Sequence, residues 1–409
     1  MRTTHLLLAL ALLTAGHSFD ALSQETLILK GVVHFEDFQN REPALLELAN
    51  GDLLVAGFPR YPHEPARAPS LWRSRDGGAA WARVNVGTPS NGAIGNSDVD
   101  LAVAPDGTVY FVTMGYNRTT DEGTHISIGV SKDHGESWTW TLLTDRTLSD
   151  RPWVEVAPDG TAHVIWNDDQ GVYHAVSKDA GASWQELPKV HPVGGSSHLA
   201  VGPAGEVAVR VTPIYASGNE FDPAIDLVAV STDGGQTWKK HTAPGSRDWV
   251  PYGEEGLPRW VEPLAWDADG ALYYLWSEGR GMHLGKSSDL GASWESWEIA
   301  TDKDMVFFPF MAASGAKELS ATWFSAEGGM GVRVARIGVA ADKPEVMLSE
   351  LLRFDSWSQT EDGLRRDTNG EYAPLLRLKS GQFAVVTPLQ DPREDRLGFS
   401  FWRLSPGEN

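Results

Sequence analysis

An eight-residue pattern, Ser-x-Asp-x-Gly-x-Ser/Thr-Trp, recurs along the chain and constrains its fold more than any other feature. Four complete copies, and one with Ala80 in place of the hydroxyl residue, occur at Ser74–Trp81, Ser131–Trp138, Ser177–Trp184, Ser231–Trp238 and Ser287–Trp294. The aspartates, at positions 76, 133, 179, 233 and 289, follow one another at intervals of 46 to 57 residues. A motif with a period of about fifty residues predicts a repeat architecture in which each repeat is one supersecondary unit.

The residues around each copy of the motif predict four strands. The stretch Arg151–Asn167, for example, contains an apolar run, a Pro-Asp-Gly turn and a second apolar run. Asp-Gly between two strand-like runs is a strong hairpin signal. A third strand is predicted at Val172–Val176, just before the motif, and a fourth begins at Trp184. One repeat is therefore predicted to be a four-stranded antiparallel meander.

The glycine at the first turn of each unit allows the repeats to be counted. These glycines are Gly51, Gly107, Gly160, Gly205, Gly270 and Gly381, with a weaker copy at Gly315. The seventh unit has only three strands, and Thr26–His34 supplies a spare strand before the first unit. We expect an all-β fold: a β-propeller of four-stranded antiparallel blades, closed by the N-terminal strand so that no sheet edge stays open. Seven blades are favoured, and six are the alternative if one unit is an insertion.

Within each motif copy, the Asp and hydroxyl side chains are expected to accept hydrogen bonds from the backbone of a tight turn. The glycine permits a backbone conformation that other residues avoid, and the tryptophan is expected to pack between sheets. We therefore interpret the motif as structural, and look for chemistry elsewhere in the repeat.

The composition excludes several classes of function. The chain has 409 residues and no cysteine, so neither a disulfide framework nor a thiolate metal site is possible. Its formal net charge of −21 argues against a nucleic-acid partner, because phosphate binding relies on clustered Lys and Arg. The 12 histidines form no close cluster, and we expect neither a catalytic metal nor a cofactor.

The first residues are typical of a targeting segment. Arg2 supplies a positive charge, and Leu6–Leu13 is an apolar run too short to span a bilayer. Small residues before Ser23 predict cleavage of a signal peptide there, which leaves residues 24–409 as a single propeller domain. No later segment has the length of a transmembrane helix, and we expect a secreted or periplasmic protein.

The repeated motif resembles the Asp-box, or BNR, repeat of the sialidase (neuraminidase) superfamily. Members usually begin with an Arg-Ile-Pro-Ala-Leu segment, which Arg41-Glu42-Pro43-Ala44-Leu45 resembles. That resemblance implies that Arg41 grips a substrate carboxylate. It also implies that Tyr372, which opens the last unit, is the nucleophile and that Glu262 is its partner. The family's acid/base Asp has no counterpart here, where Glu64 occupies the region, and Arg280 lies only near the position of the second arginine.

Independently of the family, the residues that begin the innermost strands should ring one mouth of the propeller. By register to the turn glycines they are Arg41, Asp98, Arg151, His198, Glu262, Phe308 and Tyr372. Arginine forks bind carboxylates in a bidentate way, and Arg41, Arg151, Arg280 and His198 are the predicted substrate-binding residues. Tyr372 would attack an anionic sugar with Glu262 as its base, and Glu64 or Asp98 would be the general acid. The same side chains in a non-catalytic propeller would only cap strands or pair with neighbours.

Three functions are consistent with these observations. The first is a secreted glycoside hydrolase that resembles an exo-α-sialidase and acts on terminal sialic acid or a related acidic sugar. The second is a non-catalytic propeller that binds a glycan or a protein. The third is a polysaccharide lyase. The observation that best separates the first two is which arginines converge within reach of Tyr372.

Overall fold

The computed structural model describes residues 27–35, 40–59, 68–213, 225–246, 261–353, 357–360, 363–366, 370–391 and 396–406. They form seven four-stranded antiparallel sheets, here called blades 1 to 7, and one two-stranded hairpin. The strands of blade 1 are Asn40–Glu47, Leu53–Pro59, Ser70–Ser74 and Ala82–Arg83. Those of blade 2 are Ser97–Val103, Val109–Asn117, Glu122–Ser131 and Thr139–Thr144. Those of blade 3 are Asp150–Val156, Ala162–Asp168, Gly171–Ser177 and Gln185–Glu186.

The remaining blades repeat this arrangement. Blade 4 consists of Ser196–Val201, Val207–Thr212, Leu227–Ser231 and Lys239–Thr242. Blade 5 consists of Leu264–Trp266, Leu272–Glu278, Gly281–Ser287 and Glu295–Thr301. Blade 6 consists of Val306–Gly315, Glu318–Ser325, Gly331–Gly338 and Glu345–Arg353. Blade 7 consists of Leu375–Arg377, Phe383–Asp391, Arg396–Pro406 and Leu27–Phe35. The prediction of seven blades is confirmed, and the six-blade alternative is wrong.

The first strand of each blade surrounds the axis of the ring. Each of these inner strands contacts the inner strands of both neighbouring blades, so the ring is closed. Together they line an axial channel of about 370 Å³. Because the strands alternate in direction, all inner strands begin at one face of the ring, here called the mouth face. The turn glycines and the Asp motifs lie at the opposite face.

The N-terminal strand closes the ring, as predicted. Leu27–Phe35 pairs antiparallel with Arg396–Pro406, and Val33 is opposite Phe401 in the register. It is the outermost strand of blade 7, whose other three strands come from the C-terminal end of the chain. This pairing joins the two ends of the chain through backbone hydrogen bonds and covers the sheet edge that would otherwise be open.

The apolar core lies between blades rather than at the axis. One cluster joins the facing sheets of blades 2 and 3, from Tyr110 and Ile128 on one side to Trp166 and Tyr173 on the other. The largest fully buried side chains of the described residues include Trp166 and Trp323. Strands that are covered on both sides are buried along their whole length, as in Ala162–Asp168.

The Asp motif stabilises the turn between the third and fourth strands of a blade. In blade 2, the Asp133 carboxylate accepts bonds from the Ser137 amide and hydroxyl, and the Ser131 hydroxyl bonds both Asp133 and the Gly135 amide. The Trp138 indole donates to the Gly135 carbonyl at 3.1 Å. These hydrogen bonds, led by the one from the Ser137 hydroxyl, lower the pKa of Asp133 to about 2. The structural interpretation of the motif agrees with this geometry.

Helical structure is scarce in the described part of the chain. One 3₁₀ turn occurs at Pro89–Asn91, and no helix of these residues has the length and apolarity needed to cross a membrane. The two-stranded hairpin, Trp357–Thr360 paired with Gly363–Arg366, lies between blades 6 and 7 in the sequence. The predicted signal peptide, residues 1–23, lies outside the described residues.

Candidate functional site

Several inner strands begin with a β-bulge at the mouth face. In blades 1, 3 and 6 the bulged residue precedes a proline and has a positive φ: 51° at Glu42, 49° at Arg151 and 48° at Phe308. Blade 2 has a register shift at Asp98. A positive φ is uncommon for residues other than glycine, and bulges re-aim side chains next to binding sites. The bulges in blades 1, 2 and 3 bring charged side chains to the mouth face.

A cavity of about 340 Å³, here called the mouth pocket, opens at this face. Its walls come from blades 1, 2 and 3 and from the chain that enters blade 7. Three arginines and six carboxyl groups line it: Arg41, Arg118, Arg151, Glu42, Asp98, Asp121, Glu122, Asp150 and Glu371. The charged side chains at the starts of the inner strands are thus concentrated on one side of the axis, over blades 1 to 3.

Arg151 is at the centre of this charge cluster. Its Nη1 donates to Glu371 Oε2 at 2.7 Å and to the Tyr372 hydroxyl at 3.0 Å, and its Nε lies 3.7 Å from Asp150 Oδ2. Burial opposes the charge on Arg151, but Glu371, Tyr372 and Asp150 outweigh it and raise the pKa of Arg151 well above its usual value. Arg151 therefore remains a cation and ties blade 3 to the start of blade 7.

Two carboxyl groups in the mouth pocket hold protons more tightly than usual. Burial, with smaller contributions from Asp98 and Glu371, raises the pKa of Asp150 to about 7 although Arg151 opposes the shift. Burial likewise raises the pKa of Glu42 well above its usual value, against the opposing charge of Arg41. The Asp150 side chain is 37% exposed, and it faces the pocket. A neutral carboxyl group thus lies beside an ion-paired one near neutral pH.

Arg41 and Arg118 reach the pocket from two different blades. Nη2 of Arg41 lies 3.2 Å from Glu42 Oε1 in blade 1. Arg118 lies in the loop of residues 118–121, which joins the second and third strands of blade 2. Its guanidinium stacks on the ring of Tyr116, 4.4 Å from the ring centroid. The three arginines that line the pocket are therefore Arg41, Arg118 and Arg151, and Arg118 was not predicted.

Tyr372 lies beneath the mouth pocket rather than in it. Its side chain is buried and borders the axial channel, and its ring contacts Trp153 edge-on at 5.4 Å. The Tyr372 hydroxyl accepts its hydrogen bond from Arg151. Burial raises the pKa of Tyr372 well above its usual value, despite the nearby charge of Arg151. In this position Tyr372 supports Arg151 from below.

Glu262 and His198 lie deeper, away from the mouth pocket. Glu262 is fully buried, 3.3 Å from Arg210 Nη2, and it also accepts a short hydrogen bond from Tyr274. The His198 ring packs at a tilt of 53° against Trp153, with 4.6 Å between ring centroids, and burial lowers the pKa of His198 to about 3. The structure therefore brings neither side chain to the pocket, although the sequence analysis assigned one as the base beside Tyr372 and the other to substrate binding.

The other two predicted residues do not join the cluster. Arg280 is exposed in the loop between the second and third strands of blade 5 and does not line the mouth pocket. Glu64 lies outside the described residues. Of the eight predicted site residues, Arg41, Asp98 and Arg151 line the pocket and Tyr372 is bonded to one of them.

Glu42, Asp150 and Glu371 belong to the site but were not predicted. Each is the immediate chain neighbour of a residue that was named, because the count from the turn glycines did not allow for bulges. The close approach of blades 1 and 7 also needs Gly370, where an added Cβ would lie 2.7 Å from Glu42 Cγ. Within the described residues, no group of three or more His, Cys, Asp or Glu side chains has an arrangement suited to holding a metal ion.

The comparisons with known proteins agree with the repeat and the fold. The profile of the BNR/Asp-box repeat matches residues 229–240, which include the whole of the fourth motif copy. A comparison with curated proteins gave no match. Among solved structures, the chain is similar to a GH93 α-L-arabinofuranosidase of Fusarium graminearum in complex with arabinobiose, with a TM-score of 0.52, 14% identity, and coverage of 93% of this chain and 97% of the other.

Two further solved structures show the range of propellers that the chain is similar to. A fungal alcohol oxidase of the AA5 family, in complex with copper, has a TM-score of 0.56, 11% identity, and coverage of 93% of this chain and 76% of the other. An intramolecular trans-sialidase of Ruminococcus gnavus has a TM-score of 0.48, 12% identity, and coverage of 90% and 94%. At such low identity, the two likenesses with TM-scores above 0.5 concern the fold alone, and function has to be argued from the site.

Proposed function

We propose that the protein is a glycoside hydrolase that resembles an exo-α-sialidase and holds a terminal acidic sugar in the mouth pocket. The observation that carries this proposal is the set of carboxyl groups around Arg151. Glycoside hydrolysis generally needs one carboxyl group that donates a proton and another that stays ionised. The high pKa of Asp150, beside the ion pair of Glu371 with Arg151, supplies such a pair.

The reaction follows from these two protonation states. Asp150 donates its proton to the glycosidic oxygen while the bond from that oxygen to the anomeric carbon breaks. The carboxylate of Asp98 or Glu371 then stabilises the anomeric centre, either by bonding to it or by activating a water molecule. Water finally supplies the hydroxyl group of the released sugar. If the carboxylate has bonded to the sugar, Asp150 takes the other proton of that water; if the carboxylate has activated the water, the carboxylate takes that proton and passes it to the solvent, from which Asp150 is protonated again.

Tyr372 is a weaker candidate for the nucleophile than the carboxylates. Its burial and raised pKa disfavour the phenolate, and Glu262, its predicted base, bonds Tyr274 and Arg210 instead. Within the proposal, Tyr372 therefore holds Arg151 in place. Three arginines in one pocket favour a substrate with a carboxylate, such as sialic acid or a uronic acid.

A neutral terminal sugar is the second candidate substrate. Six carboxyl groups and only three arginines line the pocket, so an anion must compete with carboxylates for the guanidinium groups. A neutral sugar would use the same proton donor without that competition. We also propose that the protein is exported before it meets its substrate, on the strength of the N-terminal apolar run.

The proposal is tested with fluorogenic α-sialoside, β-glucuronide and α-L-arabinofuranoside substrates. We expect hydrolysis of an acidic glycoside, a loss of about 10²- to 10⁴-fold in Asp150→Asn, and a smaller loss in Tyr372→Phe. An inactive Tyr372→Phe beside an active Asp150→Asn would assign the chemistry to the tyrosine. Sugar binding without turnover on any substrate would make the protein a binding propeller. An unsaturated product that absorbs in the ultraviolet would make it a lyase.

A further inference from the structure

Arg118 differs from the other two arginines of the mouth pocket in its partners. Arg151 is ion-paired with Glu371, and Arg41 with Glu42. Among the residues that the structure describes, no carboxylate lies within ion-pair distance of Arg118, whose recorded contact is the stack on Tyr116. Stacking occupies one face of the guanidinium plane and leaves its N–H edges available for a ligand.

The Tyr116 ring, on which Arg118 stacks, is held in place by hydrogen bonds within the same loop. The Tyr116 hydroxyl donates to Asp121 Oδ1 at 2.7 Å, and the Tyr116 amide donates to Asn96 Oδ1. The Asp121 amide bonds the Asn117 carbonyl at 2.8 Å, which closes the loop on itself. Because the ring cannot shift freely, the guanidinium above it has a defined position before any ligand binds. Preorganisation of this kind reduces the entropy cost of binding.

A second arginine shares the mouth pocket with Arg118, although six carboxyl groups line it too. Burial and, to a smaller extent, the positive charge of Arg41 lower the pKa of Arg118, while Tyr116, Asp98 and Glu42 partly oppose the shift. Two guanidinium groups that repel each other across a cavity are both stabilised by an anion placed between them.

We propose that Arg118, held on the ring of Tyr116, makes the mouth pocket select sugars that carry a carboxylate over uncharged sugars of the same size. The inference rests on the proposed function and adds its specificity-determining residue. Arg41 and Arg151 already neutralise carboxylates of the protein, so they contribute less to the discrimination. Arg118 lies at the rim and contacts the substituent of the sugar, while the carboxyl groups around Arg151 contact the glycosidic bond.

The test measures binding by calorimetry, so that it does not depend on turnover. The probes are N-acetylneuraminic acid and its methyl ester, and D-glucuronic acid and its methyl ester. Each ester lacks the negative charge of its acid and carries one added methyl group. For the wild-type protein we expect the acid of one pair to bind more tightly than its ester. In Arg118→Ala the acid should lose at least about tenfold in affinity, since a charged hydrogen bond is removed, while the ester is unaffected.

Two further variants make the result specific to the guanidinium group. Arg118→Lys keeps the charge but not the planar fork, so its acid affinity should lie between those of the wild type and Arg118→Ala. Arg353→Ala removes an exposed arginine at the end of the outer strand of blade 6, on the same face but away from the pocket, and should leave the preference unchanged.

The outcomes separate this inference from the proposed function. An acid-over-ester preference that survives in Arg118→Ala overturns the inference, as does a wild-type protein that binds acid and ester equally. Binding that depends on Arg118, in a protein that hydrolyses none of the fluorogenic substrates, supports the inference and overturns the hydrolase proposal.

Discussion

Asp76 lacks one hydrogen bond that the other four motif aspartates have. In the other copies a Ser or Thr hydroxyl four residues later donates to the aspartate, and the four carboxyl groups have pKa values of about 2. In blade 1 that position is Ala80, and the pKa of Asp76 is lowered mainly by the Ala80 amide. The chain thus contains its own comparison between a complete and an incomplete motif.

Ala80→Ser should complete the motif of blade 1. The new hydroxyl is expected to donate to Asp76, lower its pKa toward those of the other copies, and raise the melting temperature by about 1 °C. The matched change Ser137→Ala should raise the pKa of Asp133 and lower stability by a similar amount. Carboxyl chemical shifts followed by NMR over pH 1.5 to 5, with thermal unfolding, measure both. An unchanged pKa of Asp76 in Ala80→Ser, or of Asp133 in Ser137→Ala, would contradict the assigned role of the hydroxyl.

The protonation of Asp150 predicts how activity depends on pH. A general acid must carry its proton, and the raised pKa of Asp150 is about 7, so kcat/KM should fall as the pH rises above about 7. The apparent value belongs to the coupled cluster of carboxyl groups. Asp150→Glu should keep measurable activity with a shifted basic limb. A wild-type profile that stays flat from pH 6 to 9 would show that another group donates the proton.

At the level of strands, the sequence predicted which ends meet but not how each strand begins. Counting back from the turn glycines predicted that Arg41, Asp98 and Arg151 lie at the mouth face, and all three line the mouth pocket. The same count also placed Glu262 there, whereas its side chain enters the core between blades 4 and 5 and meets Arg210. A bulge adds one residue to a strand and changes the direction of the next side chain. No residue type predicts the position of a bulge reliably.

Arg118 could not be found by repeat counting, for a related reason. Its loop joins the second and third strands of blade 2, where the repeats differ in length and sequence. Its place over the pocket depends on the stack with Tyr116, a contact between residues two apart that has no repeated counterpart. Repeats therefore predict the scaffold, while the loops that vary between repeats supply much of the site.

The turn at the start of each blade gives a prediction about glycine. Gly160 has φ of 86° and no atom within 4 Å of an added Cβ, so Gly160→Ala is opposed by backbone conformation alone. We expect it to lower the free energy of unfolding by about 1 kcal/mol, and Gly160→Asn by less. Gly315 does not have a positive φ, and Gly315→Ala should not destabilise. Urea unfolding of the three variants measures the difference, and equal losses at both glycines would contradict the explanation.

For the whole molecule, the sequence predicted the number of blades and the closing strand. The number of blades followed from counting the repeats. The closing strand followed because the last repeat has only three strands and the chain has one unassigned strand before its first repeat. The same repetition places the seven inner strands around an axial channel, which no motif marks. Asp100 and Glu155 face this channel from adjacent blades, and their properties depend on the closed ring.

The channel carboxyl groups predict how the stability of the folded ring depends on pH. Burial in the channel raises the pKa of Asp100 from 3.8 to about 7. The pKa of Glu155 is raised from 4.5 to about 8, with a smaller contribution from Asp100, but its side chain is exposed to solvent, which screens part of its effect on stability. His198, which also lines the channel, stays neutral across this range because its pKa is about 3. Since the two folded pKa values exceed the unfolded ones, the folded state binds more protons between them, and stability is lost as the pH rises through 7 and 8.

We therefore expect the melting temperature of the wild-type protein to fall between pH 5 and pH 9 by at least about 3 °C. Asp100→Asn combined with Glu155→Gln removes both titrations, keeps oxygen acceptors at both sites, and should flatten the dependence. Asp150 titrates in the same range, so Asp150→Asn alone serves as the control for the contribution of the mouth pocket. Calorimetry at constant ionic strength measures all of these proteins. A double variant with the full wild-type slope would show that the channel carboxyl groups are solvated as well in the folded ring as in the unfolded chain.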